Sequence, residues 1–264
     1  MSEHDPILAF RLTARYGAVK VLDDVAAAIG RGEIAALAGL SGSGKSTLAL
    51  ALLRLLHYRG GSVSGSIRLE GEELMDLSES AMRHVRGRRV GFVPQNPVAA
   101  LNPRLRVRTL LDETWRAHQT GSAPEPAMQE LLTSVHLAAD PAFRQKRAGE
   151  LSTGQGQRLL IALALMHKPA LVIADEPTSA LDVITQAAVL ALFAEINRRQ
   201  GTAILFISHD LLSVASIAHR VDILHEGRIV ESGPPAEIFR APRHQFTRQL
   251  VAAMPERPRA GDAG

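Results

Sequence analysis

The chain has 264 residues, of which 46% are hydrophobic and 22% charged, and its net charge is only +3. This length suits one large domain, or a core with a subdomain. The lack of cysteine excludes disulfides, thiolate metal sites and cysteine-ligated iron–sulfur clusters, and no apolar run approaches the roughly 18–20 residues that span a bilayer.

The N-terminal part of the chain is predicted to consist mostly of strands. Residues 7–35 alternate apolar and polar side chains between turn signals, which is typical of β-hairpins. The apolar stretch 34–40 predicts a short strand that runs through a glycine-rich loop into the helical pattern LALALLRLL. Residues 61–74 and 90–95 again have strand character.

The remainder alternates helical and strand patterns. Residues 96–148 are helical and irregular, and the run LLIALALM indicates a buried helix. Buried strands are predicted at ALVIADEP and TAILFISHD, separated by a helix that stops at Gly201, and VDILHEGRIVESG predicts a terminal hairpin. Strands separated by helices favour an α/β fold with a largely parallel sheet. The last ten residues are expected to be disordered.

The motif GLSGSGKS, Gly39 to Ser46, matches the pattern G-x-x-x-x-G-K-[ST] and lies between a predicted strand and a predicted helix, the context that a P-loop requires. Its glycines allow backbone N–H groups to close around phosphates. Lys45 reaches the outer phosphates, and Ser46 offers a hydroxyl to Mg²⁺. The candidate nucleotide-binding residues here are Gly39, Ser41, Gly42, Ser43, Gly44, Lys45, Ser46 and Thr47.

Polar side chains stand at the ends of three predicted strands. Asp175 suits Mg²⁺ coordination, and Glu176 beside it can polarise an attacking water. His209 and Gln95 end two further strands, and a neutral amide binds water or Mg²⁺. Because strand C-termini of a parallel sheet line the ligand crevice, we predict Glu176, His209 and Gln95 as catalytic residues. The predicted Mg²⁺ ligands are Ser46, Gln95 and Asp175.

A second segment with phosphate-binding character is LSTGQGQR, from Leu151 to Arg158. Ser152 is predicted to cap the helix that follows. Helix N-termini suit anions, yet the P-loop lies more than a hundred residues upstream. The question is therefore whose phosphate this segment would contact.

The ordered set GLSGSGKS, Gln95, LSTGQ, LVIADE, SALD at 179–182 and His209 resembles the nucleotide-binding subunit of ATP-binding-cassette (ABC) transporters over about residues 7–240. The resemblance implies a P-loop NTPase (RecA-like) core, with an N-terminal antiparallel β subdomain and an inserted helical subdomain. It also implies ATP and Mg²⁺ as cofactors.

In this family two subunits stand head to tail and enclose two ATP molecules. The resemblance therefore places LSTGQ, with Ser152, Gly154 and Gln155, against the ATP held by the other subunit's P-loop. It places Asp182 in a loop that crosses to the partner and Tyr16 where an aromatic ring stacks on adenine. The usual motif LSGGQ has glycine where this chain has Thr153, a β-branched residue that narrows backbone freedom. Gly156 replaces a residue that is usually larger.

Two segments resemble importers for di- and oligopeptides and nickel, namely PQNPVAALNPRLRV and RAPRHQFTRQLVAAM. This implies an ATP-hydrolysing motor on the cytoplasmic side of the inner membrane. Its implied partners are a second ATP-binding subunit, identical or paralogous, and permeases that dock after Gln95, with a solute-binding protein acting indirectly. The predicted domains are an ATP-binding domain over 1–240, with core 1–95 and 166–240 and helical subdomain 96–165, and a C-terminal extension over 241–264.

Two other classes stay open. One is an accessory ATPase of a soluble enzyme complex, as in phosphonate breakdown, whose sequences resemble the same branch. The other is an ABC ATPase that works on nucleic acid, which would usually show two cassettes, a long coiled-coil insertion or a strongly basic arm. The basic clusters at 86–89 and 104–108 have few accompanying aromatics and indicate solvated faces or protein contacts, so no nucleic-acid partner is expected.

Overall fold

The computed structural model describes residues 5–254, in which strands and helices alternate along the chain. The strands are β1 (Leu8–Tyr16), β2 (Val19–Ile29), β3 (Ile34–Ala38), β4 (Gly61–Leu69), β5 (Glu72–Glu73), β6 (Val90–Val93), β7 (Leu171–Asp175), β8 (Ala203–Ser208), β9 (Arg220–His225) and β10 (Arg228–Gly233). The helices are α1 (Lys45–Leu52), α2 (Glu79–Val85), α3 (Pro97–Ala100), α4 (Val107–Arg116), α5 (Glu125–Ser134), α6 (Pro141–Gln145), α7 (Thr153–Leu165), α8 (Val183–Gln200), α9 (Leu211–Ala215), α10 (Pro235–Arg240) and α11 (Gln245–Ala252).

Six strands form the central sheet, in the order β10-β9-β3-β8-β7-β6. Neighbouring strands are parallel except for β9 and β10, which form the hairpin predicted from VDILHEGRIVESG. The carboxyl ends of β3, β6, β7 and β8 therefore meet at one edge, where open α/β sheets bind their ligands. The predicted α/β fold with a largely parallel sheet is confirmed.

A second, antiparallel sheet has the order β2-β1-β4-β5. The predicted N-terminal hairpin is β1 and β2, and the strand that returns after α1 joins it on the β1 side. Gly65 in β4 has a φ of 118°, and a Cβ built on it would lie 2.1 Å from the Arg11 carbonyl oxygen. Only glycine allows β4 to pair with β1 at this point. The antiparallel β subdomain implied by the family resemblance is thus present.

The two faces of the central sheet carry separate hydrophobic cores. Strand β3 contributes to both: Ile34, Ala36 and Ala38 pack into one core, while Ala35 and Leu37 pack into the other. This follows from the two-residue period of a strand, and a strand covered on both faces reads as a continuous apolar run. The first core contains residues of α4, α5, α7 and α8, whereas the second contains residues of α1 and the antiparallel sheet. Both cores hold β3 and the loop after it in place.

Helices α3 to α7 occupy the region predicted to be helical, and α7 carries the apolar run of which most residues from Leu159 to Leu165 are buried. Helix α8 ends at Gly201, which has a φ of 66°, as predicted. Strand β6 stops at Val93, two residues before the predicted end at Gln95, because Pro94 has no N–H for a sheet hydrogen bond. The predicted disordered tail, 255–264, lies outside the described residues.

The domain boundaries given above remain predictions. Within residues 5–254, no helix is both long enough and apolar enough to cross a bilayer.

Candidate functional site

The loop between β3 and α1 holds the P-loop motif, and its glycines are required by close packing. A Cβ on Gly39 would lie 2.3 Å from the Leu224 carbonyl oxygen. Gly44 is the N-cap of α1 with a φ of 107°, and a Cβ there would lie 2.7 Å from Leu22 Cδ2. A side chain is thus excluded by the backbone at Gly39 and strained at Gly44, and α1 begins without a side-chain cap. Its first N–H groups have no partner within the helix.

Lys45, the first residue of α1, turns its ammonium group back into the loop. Its side chain is only 4% exposed, and Nζ donates hydrogen bonds of 3.0 Å to the carbonyl oxygens of Gly39 and Leu40. The same Nζ lies 3.7 Å from Glu176 Oε1. A buried cation that touches both the loop and a carboxylate places positive charge where a phosphate would bind. Among the residues that the structure describes, the buried Ser43 hydroxyl has no hydrogen-bond partner. This fits a hydroxyl that donates to an anion bound in the loop.

Ser46 and Asp175 meet at the end of β7. Ser46 Oγ donates a hydrogen bond of 3.1 Å to Asp175 Oδ1. Burial raises the pKa of Asp175, and the neighbouring Glu176 adds to this, while the Ser46 hydroxyl and Lys45 oppose it. A hydroxyl and a carboxylate side by side are hard oxygen ligands of the kind that Mg²⁺ prefers. Their placement fits two of the three predicted Mg²⁺ ligands, and the metal-binding roles of Ser46, Asp175 and Gln95 stay predictions.

Glu176 is the centre of a cluster built by three strand ends. Gln95 Nε2 donates to Glu176 Oε2 at 3.0 Å, and His209 Nδ1 lies 3.1 Å from the same oxygen. Glu176 has a φ of 46°, unusual for a residue with a side chain, and its N–H donates to the Ile207 carbonyl oxygen at 2.9 Å. The structure thus brings Gln95, Glu176 and His209, which follow three strand ends, together with Lys45, and their catalytic roles stay predictions. A carboxylate held by an amide, an imidazole and an ammonium can orient and polarise water.

Residues 151–158, the signature segment from here on, form the start of α7. Ser152 is the N-cap as predicted: its Oγ accepts from the Gln155 N–H at 3.2 Å, and Gln155 Oε1 accepts from the Ser152 N–H at 3.1 Å. This reciprocal pair is a capping box. Gly154 packs against α8, because a Cβ there would lie 2.8 Å from Thr185 Cγ2. Gly156 has room for a Cβ, which would meet Pro97 Cβ at 3.5 Å.

Asp182 and Tyr16 lie in separate places. Asp182 caps α8, with Oδ1 accepting from the N–H groups of Ile184 and Thr185 at 3.1 and 3.0 Å. Hydrogen bonds from Thr185 hold the pKa of Asp182 below its ordinary value. Tyr16 is half-buried at the end of β1 and packs on the second core. The predicted stacking of Tyr16 on adenine stays a prediction.

Sequence reasoning missed two side chains that connect these elements. Gln186 Nε2 donates to Asp210 Oδ2 at 2.8 Å and to Ser213 Oγ at 3.0 Å. Asp210 is the N-cap of α9 and directly follows His209. The spacing Asp210-x-x-Ser213 is a cap signal that could have identified the start of α9, but nothing local to Gln186 indicates a partner 24 residues later.

Comparisons with known proteins agree on one family. The family model described as ABC transporter matches residues 22–179. A Brucella ovis protein named as a peptide import ATP-binding protein is 42% identical over 264 residues, covering 96% of this chain and 76% of that protein.

Two solved structures have the same fold. One is cbiO1 from Clostridium perfringens, described as part of the ABC transporter complex cbiONQ, with a TM-score of 0.77 and 28% identity over 90% of this chain and 92% of that one. The other is the ATP-binding cassette MJ0796, solved as a dimer bound to ADP and Pi, with a TM-score of 0.72 and 25% identity over 86% and 98%. Together with the P-loop, these matches show that the chain belongs to the ABC transporter family, as a cassette that binds and hydrolyses ATP.

Proposed function

We propose that the chain powers the import of peptides by hydrolysing ATP in sites that are each shared between two ATP-binding subunits. The observation that carries the proposal is the difference between the start of α1, at the P-loop, and the start of α7, at the signature segment. The P-loop contacts the Glu176 cluster directly, whereas the side chains of Ser152 and Gln155 in the signature segment bond to each other's backbone. The name of the Brucella ovis relative and the dimeric MJ0796 cassette support the substrate class and the pairing.

Each residue of the cluster has a proposed role that follows from its chemistry. Lys45 binds the outer phosphates as a point charge, and the P-loop N–H groups cradle the others. Glu176 orients the attacking water and accepts the proton that this water loses as its oxygen bonds to the phosphorus. His209 and Gln95, both within hydrogen-bond distance of the Glu176 carboxylate, fix its direction. Because all of these groups sit on strand ends or on α1, the geometry is held by the two cores.

Mg²⁺ is the proposed metal. Ser46 and Asp175 would hold it, with Gln95 as a further ligand, because their oxygen atoms are hard ligands. When bound, Mg²⁺ supplies charge neutralisation on the phosphates. Asp175 is well placed for this, since a cation would relieve the unfavourable burial that raises the pKa of this carboxyl.

The proposed permease contact is the surface after Gln95. A pocket of about 110 Å³ is lined by Pro97, Leu101 and Pro103 and also by Gly149 and Thr153. The pocket therefore connects the segment after the catalytic amide to the signature segment. We propose that this surface transmits the state of the site to permeases, that the chain lies on the cytoplasmic face of the membrane, and that a solute-binding protein delivers the cargo.

The test of the shared site is complementation between two inactive chains. Lys45→Ala breaks the P-loop side and Ser152→Arg breaks the signature side, so each homodimer has two broken sites. A mixed dimer has one site with both faces mutated and one site with both faces intact. Phosphate release should therefore recover on mixing, relative to each variant alone.

Light scattering or tagged pull-down confirms in parallel that mixed dimers form. Formation of mixed dimers without recovered phosphate release would contradict the shared site. Reconstituted transport tests the importer role separately: Asn102→Ala and Arg104→Ala should keep basal ATPase and reduce peptide uptake. Normal uptake by both variants would remove this segment from the coupling surface.

A further inference from the structure

The first turn of α8 makes a close contact with the signature segment. A Cβ on Gly154 would lie 2.8 Å from Thr185 Cγ2, so the Thr185 methyl group rests against the backbone at Gly154. Thr185 is itself fixed by Asp182, which accepts from its N–H at 3.0 Å and from its hydroxyl at 2.7 Å. The two bonds to Asp182 restrict the χ1 rotation of this β-branched side chain and hold its methyl group against Gly154.

The adjacent residue, Gln186, bonds to side chains at the start of α9. Its Nε2 bonds to Asp210 at 2.8 Å and to Ser213 at 3.0 Å. Burial alone would raise the pKa of Asp210, but the hydrogen bonds from Ser213 and Gln186 outweigh it and the pKa is lowered. Asp210 is therefore an anion, and its bond to Gln186 is charge-assisted, roughly twice as strong as a neutral one.

Asp210 leads directly to the catalytic cluster. It follows His209 in the chain, and His209 Nδ1 lies 3.1 Å from Glu176 Oε2. The backbone of this turn is closed by the Asp210 N–H, which donates to Ser208 Oγ at 3.0 Å. The contacts thus form one continuous series in the order Gly154, Thr185, Gln186, Asp210, His209 and Glu176.

We propose that Thr185 and Gln186 are positioning residues that transmit the state of the chain's own nucleotide site to its own signature segment. This inference rests on the proposed function, because a shared site makes the signature segment part of the other subunit's ATP site. The two residues then couple one ATP site to the other through a single chain. Nucleotide that engages Glu176 and His209 moves the turn at Asp210, Gln186 carries the movement to α8, and Thr185 passes it to Gly154.

The test uses hydrogen exchange of the backbone amides at 153–158 in the isolated chain, with and without ATP, at concentrations where light scattering reports a monomer. ATP should change exchange in this segment by about fivefold in the natural sequence, the scale of a modest site-to-site coupling. Gln186→Met keeps the side-chain volume but not the hydrogen bonds, and should reduce the change to less than about 1.5-fold. ATP affinity should stay within about twofold, because Gln186 contacts no P-loop residue.

The matched control is Gln200→Met at the opposite, exposed end of α8, which should behave as the natural sequence does. Thr185→Ser keeps the bonds to Asp182 but removes the methyl group against Gly154, and should lose the change. Thr185→Val loses the hydroxyl bond but keeps the methyl group, the backbone bond to Asp182 and the restricted χ1 of a β-branched residue, and should retain most of the change. The proposal is overturned if ATP changes hydrogen exchange at 153–158 in Gln186→Met as much as in the natural sequence. It is also overturned if the natural sequence binds ATP with no change of exchange at 153–158. Failure of the proposed function would differ, as ATP would then give no protection at 39–47 or mixed dimers would not recover hydrolysis.

Discussion

The starts of α1 and α7 are both helix N-termini rich in glycine, yet they are built in opposite ways. α1 begins after Gly44, which has a φ of 107° and offers no side-chain acceptor. α7 begins after Ser152, whose capping box with Gln155 satisfies donors at both positions. An uncapped helix start leaves its N–H groups for a ligand, whereas a capped start is complete as local structure. The difference fits the proposed shared site, in which α1 binds phosphate within the chain and α7, already complete as local structure, meets the ATP of a second subunit.

The largest expected effect is a loss of ATP hydrolysis at the site around the P-loop, with the signature segment left unchanged. Glu176→Gln should lower phosphate release by about 10²–10³-fold, the scale for loss of a general base. Nucleotide affinity should be retained, because the amide is isosteric and Lys45 is unchanged.

The matched control is Glu226→Gln, since Glu226 shares the φ of 46° found at Glu176 but lies in the β9–β10 turn. Natural rates of phosphate release in Glu176→Gln would show that another group activates the water.

A smaller effect is expected on nucleotide affinity, which should depend on the start of α1 but not on the start of α7. Lys45→Ala should weaken ATP binding to the isolated chain by about 10–100-fold, since a charge-assisted contact is lost. Ser152→Ala should leave the affinity of the isolated chain unchanged, because the proposed shared site places the signature segment against another subunit's ATP. Titration with a fluorescent nucleotide measures both. Equal losses in the two variants would erase the distinction between α1 and α7.

Stability measurements sharpen the comparison through the glycines. Gly44→Ala should cost about 2 kcal/mol of unfolding free energy, because an alanine is strained at a φ of 107° and meets Leu22 Cδ2 at 2.7 Å. Gly154→Ala should cost less, because the helix propensity of alanine, about 1 kcal/mol better than glycine, offsets the 2.8 Å contact with Thr185 Cγ2. Urea unfolding of both variants decides the order, and a larger loss for Gly154→Ala would reverse our assignment of strain.

The cap at α7 predicts a loss of about 1 kcal/mol for Ser152→Ala in the same unfolding assay. Ser78→Ala is the comparison variant, since Ser78 caps α2 through one bond, from the Ala81 N–H at 3.2 Å. Ser152→Ala should cost somewhat more, because it also disturbs the reciprocal bond from Gln155. A negligible loss at Ser152 would mean that the capping box contributes no stability.

The smallest expected effect is on the pH dependence of the free energy of unfolding, through Asp175. Burial raises the pKa of Asp175 above its ordinary 3.8, so the folded state binds this proton more tightly than the unfolded chain. The resulting stability is full below pH 3.8 and is lost as pH rises through the folded pKa. Asp175→Asn should therefore raise the free energy of unfolding at neutral pH and remove part of its fall with rising pH. Unfolding curves at several pH values test the sign, and a lower stability of Asp175→Asn at neutral pH would contradict it.

The chemistry of this protein was readable from sequence where it depends on short spacing. The P-loop pattern and the strand-end acids lie within a few residues of a predictable strand, and parallel strands bring their ends together by topology. Ser152 was likewise predictable as a cap. The contact of Gln186 was not predictable, because its partner Asp210 lies on another element, 24 residues later, and the helical pattern around Gln186 does not indicate a polar partner. The left-handed backbone at Glu176 was also invisible, since it is imposed by the hydrogen bond to Ile207.

The central position of β3 has a consequence for synthesis of the chain. Both of its neighbours come late, because Ile34 pairs with Ile204 and Ala35 with Arg220, so about 170 residues separate β3 from its first sheet partner. During translation the strand that carries the P-loop has no sheet partner until residues 203–208 have left the ribosome. Contacts of such long sequence separation form slowly. Nascent chains truncated before β8 cannot form this sheet around the P-loop, so competence to bind nucleotide arises only after β8 has been synthesised.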